Sequence, residues 1–109
     1  MAAADRRIPP DEVVCPTCRA RQAWSDSCRR CQSDLSLLRR LAEAWEGQRR
    51  ACLLDLAAGR HEAALAHARR CYELAGDAAS ARLLAVCHLV CSQFAAACAA
   101  AERAERLQA

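Results

Sequence analysis

Lysine is absent from this chain of 109 residues, aromatic side chains number only four, and glycine and proline stand at three each. So few large β-formers argue against an all-β sandwich, and so few turn formers argue against a chain of tight hairpins. Catalytic signatures are missing as well. There is no Ser-His-Asp constellation, no glycine-rich phosphate loop, no pair of catalytic carboxylates and no H-E-x-x-H, so the expectation is a protein that is not an enzyme. Met1–Val14 holds no apolar run of the kind an export signal needs, which makes the cytoplasm the expected compartment and reduced thiols the expected state. All sixteen basic residues are Arg, and with abundant Ala this looks like the imprint of GC-rich coding, hence a bacterial source.

What the chain has in excess is alanine and cysteine. Ala-rich helices with small, close-packed faces fit that composition, so the expected class is mainly α. One stretch, Leu83 to Ala101, carries no charged residue and is nineteen residues long. Its length would suit a membrane span, but His88, Ser92 and Gln93 stand at its middle, where polar groups cost most, so two buried helices with a turn at Ser92 are expected and no membrane. Helices are expected from Asp34 to about Ala58, from Arg60 to Ala75, from Asp77 to about Cys91, and from Ser92 or Gln93 nearly to the C-terminus. Gly59 and Gly76 are expected as stops, and Asp34 or Ser33, and Asp77 or Ser80, are candidate caps. In the first helix Leu37, Leu38, Leu41, Trp45, Cys52 and Leu56 recur at helical spacing and mark the face expected to be covered.

Four of the nine cysteines form two C-x-x-C pairs, Cys15/Cys18 and Cys28/Cys31, separated by nine residues. Each pair can form a tight knuckle with both sulfurs turned to one ion, and the short loop brings the knuckles together into a tetrahedral four-thiolate site. Soft sulfur ligands suit Zn²⁺, with Fe as the alternative. Four protein ligands leave no open position for water, so the ion would be structural. It would also lower the formal net charge of +3 by two, to +1, which removes most of the apparent basicity. The run Cys15-Pro16-Thr17-Cys18 with Cys28, Cys31 and Leu35 resembles the short bacterial zinc ribbon. Arg19 and Gln32 stand where that family has glycine. The resemblance implies a ribbon over residues 13–34; the polar stretch 1–12 with Pro9-Pro10 is expected to be a disordered leader, and the change of character at Asp34 places a helical domain over 35–109.

The helical part repeats. A shift of 33 residues places Arg49 on Arg82, Leu53 on Val86, Leu56 on Leu89, Gly59 on Ser92, Ala64 on Ala97 and Leu74 on Leu107. Gly59, His61 and Ala64, and again Ser92, Phe94 and Ala97, hold the turn, aromatic and small positions of a repeat, and the pattern resembles the tetratricopeptide repeat. The resemblance implies two helical hairpins whose first helices line a concave face. On that face Arg49 and Arg82 would be cationic ends, and Leu53, Leu56, Val86 and Leu89 an apolar floor, suited to an acidic and apolar segment of another protein. An ordinary pair of helical hairpins, with the same leucines simply in the core, is the competing reading.

Two repeats are fewer than usually stand alone, so association of the third and fourth helices with a second copy or a partner is expected. Six arginines, Arg19, Arg21, Arg29, Arg30, Arg39 and Arg40, surround the cysteine pairs with Trp24 in the loop between them, which keeps nucleic acid as the lesser alternative partner. Cys52, Cys71, Cys87, Cys91 and Cys98 lie on the expected helices. Packing in place of Ala is the stronger reading for them. A second thiol site for metal or redox handling, centred on Cys87 and Cys91 with His88 or Cys98, is the other.

Overall fold

A computed structural model describes residues 11–108. It divides into two compact units, Met1–Ala42 and Glu43–Ala109, and the boundary falls inside a helix rather than at residue 34. The expected leader lies outside the described residues up to position 10. Beyond that point its last residue, Glu12, already belongs to a strand.

In the first unit β1 (Glu12–Val14) pairs antiparallel with β2 (Arg21–Ala23), with Glu12 opposite Ala23, Val13 opposite Gln22 and Val14 opposite Arg21. Val13 and Gln22 point inward from this ladder, while Arg21 and Ala23 are exposed. A second, shorter pairing joins Ser27 to Asp34. The core of the unit is Val13, Cys15, Cys28 and Leu35, with Trp24 and Leu38 packed against it. Half of that core is therefore sulfur ligand.

Four helices follow: α1 (Ser36–Ala57), α2 (His61–Ala75), α3 (Ala78–Val90) and α4 (Phe94–Gln108). The punctuation follows the sequence. The Asp34 carboxylate accepts the Ser36 N–H at 2.9 Å, and the Asp77 carboxylate accepts the Ser80 N–H at 2.9 Å. Gly59 and Gly76 end their helices with positive φ, as does Ser92. Gly76, at φ 60°, takes the left-handed conformation that glycine adopts without strain, and its N–H closes onto the Tyr72 carbonyl at 2.7 Å.

Within the second unit, α1 and α2 are antiparallel neighbours. The Arg60 guanidinium meets Asp55 at 2.8 Å, His67 meets Gln48 at 2.6 Å, and the Cys71 thiol reaches the Trp45 carbonyl at 3.7 Å. Helices α1 and α3 run parallel. The Trp45 indole donates to the Ser80 hydroxyl at 2.8 Å, and two turns later the sulfurs of Cys52 and Cys87 lie 3.5 Å apart, both pairs 35 positions apart in sequence. The core between them is made of small residues, Cys52, Ala64, Ala68, Cys87 and Ala100, with Leu65 and Leu84 as its only large buried side chains. Such faces let helices approach closely.

One expectation is corrected here. The N-terminal part of the α1 stripe is only partly covered: Leu38 packs, but Leu37 is 67% exposed, Leu41 is also exposed, and Cys52 is the only buried residue of this helix. The turn between α2 and α3 lies level with Trp45, so the helical core covers the stripe only from Trp45 onward, while Leu38 packs against the core of the first unit. No helix is long and apolar enough to cross a membrane among the described residues.

Candidate metal centre

The two knuckles repeat one backbone pattern. In the first, the Arg19 N–H bonds the Cys15 carbonyl at 2.8 Å and the Cys15 N–H bonds the Ala20 carbonyl at 3.0 Å. In the second, the Gln32 N–H bonds the Cys28 carbonyl at 3.0 Å and the Cys28 N–H bonds the Ser33 carbonyl at 2.8 Å. Each turn closes through a left-handed residue, Arg19 at φ 64° and Gln32 at φ 67°. Both residues carry side chains that disfavour this conformation.

The turns place the four sulfurs of Cys15, Cys18, Cys28 and Cys31 within 4.8 Å of one another, the only such cluster of metal-binding side chains among the described residues. Cys15 and Cys31 are 3.5 Å apart, and Cys18 and Cys28 are 3.6 Å apart. A tetrahedral ion with metal–sulfur bonds of about 2.3 Å needs sulfur–sulfur edges of about 3.8 Å, so the four cysteines could hold one metal ion with small adjustments. Cys15 and Cys28 are buried, while Cys18 and Cys31 are partly exposed.

The surroundings favour thiolate at the buried pair. Amide N–H groups of Cys31 and Arg30 point at the Cys28 sulfur at 3.5 and 3.4 Å, and the Gln22 side-chain amide donates to it at 3.1 Å. Led by the Cys31 amide and then Gln22, these bonds lower the Cys28 thiol to about 5. The Cys18 amide, with that of Thr17, likewise lowers Cys15. Cys18 gains a lowering bond from the Ala20 amide, but desolvation and the three neighbouring sulfurs carry it up to about 11.

Gln22 is the residue that sequence reading missed. Its Oε1 accepts the Arg29 N–H at 2.9 Å while its Nε2 holds the Cys28 sulfur, so one buried amide ties β2 to the second knuckle. A polar residue at the inward position of a short strand, between two outward ones, was the available signal. Ser33 is a second omission, its hydroxyl lying 3.0 Å from the Cys31 sulfur.

The strained turns yield a direct expectation. Replacing Gln32 with Gly should stabilise the metal-loaded ribbon by roughly 0.5–1 kcal/mol, because relief of the left-handed backbone outweighs the extra freedom of Gly in the unfolded chain. Chelator competition should show slower metal loss for this variant, whereas Gln32→Ala should show none. Equal behaviour of the two variants would contradict the strain.

The other sequence-marked residues separate into groups. Arg49 and Leu53 of α1 and Arg82 and Val86 of α3 line one groove of about 310 Å³, together with Trp45 and Leu83, which had not been singled out for it. Leu56 is not in that groove but packs against the helical core, and Leu89 lines a different hollow between α3 and α4. Arg82 donates to Gln108 at 2.9 Å and Arg49 pairs with Glu46 at 3.2 Å.

Cys87 finds its partner in Cys52 rather than in Cys91. His88 bonds Gln93 at 2.7 Å, and Cys98 is exposed. Burial drives Cys71 to about 11 and Cys87 to about 12, so these thiols keep their protons and behave as small apolar residues. In the basic surface, Arg21 pairs with Glu12 at 2.9 Å and Arg39 with Asp26 at 3.4 Å, and Trp24 packs on the ribbon core. Comparison with family models, curated proteins and solved structures finds no match for this chain.

Proposed function

We propose that the chain is a non-enzymatic protein–protein interaction module, a structural zinc ribbon joined to two tetratricopeptide-like hairpins, whose α1–α3 groove takes a short acidic and apolar segment of another protein. The observation that carries this reading is the groove itself, where Arg49, Leu53, Arg82 and Val86 come together from two parallel helices. Guanidinium groups can hold a carboxylate through paired hydrogen bonds, and Trp45, Leu53, Leu83 and Val86 offer apolar contact beside them. The parallel course of α1 and α3 and the matching positive-φ residues at 59 and 92 support the repeat reading. Sulfur-only ligation supports Zn²⁺, and four thiolates leave it no open coordination position for catalysis.

The test uses short peptides that combine Asp or Glu with Leu, Ile or Phe, with binding read by fluorescence anisotropy. Arg49→Ala with Arg82→Ala should weaken the best binder by roughly tenfold or more while leaving the thermal melt unchanged, since both side chains are exposed. Intact binding, or binding lost only with the fold, would remove the groove.

A further inference from the structure

The 33-residue repeat and the helical core together say what should cover the hollow between α3 and α4. In the first hairpin, Cys52, Leu56, Ala64, Leu65 and Ala68 form the face that receives the second hairpin. Shifted by 33, these residues become Ala85, Leu89, Ala97, Cys98 and Ala101. All five line the hollow on the second hairpin, a groove of about 300 Å³ completed by Val86 and Phe94. Leu89 and Phe94 are 54% and 61% exposed there. Among the described residues this receiving face has nothing seated on it.

The complementary face is also in the chain. The second hairpin inserts Leu84, Cys87 and Cys91 against the first. Shifted back by 33, these become Ala51, Leu54 and Ala58 of α1. Leu54 is 62% exposed and Ala58 is exposed, so this inserting face is uncovered too. The contacts carry over one by one. Cys52 against Cys87 becomes Ala85 against Leu54 of a second copy, and Trp45 beside Ser80 becomes Ala78 beside Gly47, which has open space where a Cβ would be. The Arg103 guanidinium stacked 5.2 Å from the Tyr72 ring becomes Arg70 of one copy beside Glu105 of the other, an opposite-charge pair.

We infer that the chain associates head to tail with a second copy of itself, the α1 face around Leu54 of one copy seating in the α3–α4 groove of the next. The inference goes beyond the peptide groove and does not require it. Because the two faces are different surfaces, the contact is heterologous and leaves one inserting and one receiving face free at the ends of every oligomer. The assembly grows with concentration by adding copies in one direction, as stacked repeats do within a chain.

The experiment is sedimentation velocity on the full metal-loaded chain in reducing buffer, which keeps Cys98 from cross-linking. The wild-type chain should associate as its concentration rises. Leu54→Glu and Leu89→Glu, both at exposed positions, should each weaken association by about thirtyfold or more. Mixed together, they should form a one-to-one dimer and nothing larger, since each supplies the face the other lacks. Glu105→Arg should weaken association and added Arg70→Glu should restore it. Far-UV melts establish that each variant is folded, and Ala101→Glu replaces Leu89→Glu should the latter lose helix. A wild-type chain that stays monomeric, a Leu54→Glu chain that assembles as wild type, a mixture that remains monomeric, or a charge swap without rescue would each overturn the inference.

Discussion

A Cys28→Ser chain should purify without metal and lose the order of its ribbon while keeping the helix signal of α2 to α4. The Cys28 sulfur is the most heavily bonded of the four, taking N–H groups from Gln22, Arg30 and Cys31. Serine keeps its proton at any ordinary pH and its oxygen is too short to reach the same point, so both the ligand and the acceptor are lost. The remaining buried residues of that unit, among those described, are Val13, Leu35, Cys15 and the polar Gln22. So little apolar surface cannot offset the entropy of ordering the two knuckles, and a bound metal ion would supply the difference, on the order of 10 kcal/mol for sites of this kind. Elemental analysis should fall from near one ion per chain to near none, and amide exchange over residues 11–35 should become fast. Cys98→Ser, at an exposed position in α4, should leave both unchanged. Retained metal in the Cys28 variant would show that the four sulfurs do not form the site.

Leu84→Ala should cost the helical unit about 3 kcal/mol and lower its melting temperature by roughly 15 °C. The effect is large because Leu84 is one of only two leucines buried in that cluster, with Leu56, Tyr72 and Leu83 packing at its partly exposed margin. Beside Leu65, the buried positions of that core are Ala and Cys, which cannot shift to fill a void left by a leucine. Against a stability of about 5–15 kcal/mol for a small domain, that loss is a substantial fraction. Val86→Ala, at a position 47% exposed on the same helix, should cost well under 1 kcal/mol. Similar melting shifts for the two variants would mean that the core is not where these contacts place it.

Local chemistry made much of this legible. Asp77 and Gly76 bracket a helix boundary because a carboxylate satisfies the free N–H groups of one helix and a left-handed glycine closes the one before it. The clustering of the four cysteines could be named because the spacing of a knuckle is a local property of the backbone. Ser92 took the left-handed place that the 33-residue shift assigned to it through Gly59.

What local sequence left open or missed is decided by tertiary packing. Cys87 and Cys91 share a helical face, but the sulfur nearest Cys87 belongs to another helix. Leu37 and Leu41 continue an apolar stripe without rupture, and nothing local marks the point where its covering stops. Gln22 carries no motif, and its role depends on a knuckle that closes six residues further along the chain.

The two indoles of the chain are divided between its compact units. Trp24 packs beside the cysteine cluster, and Trp45 is hydrogen-bonded to Ser80 among the helices. Emission from this protein is therefore two signals in one band, and it sorts by position: Trp45→Phe leaves an optical probe beside the thiolates, and Trp24→Phe leaves one that reports the helical stack alone. With a separate thermometer for each unit, titration with a chelator reads ribbon and helices independently in the same cuvette.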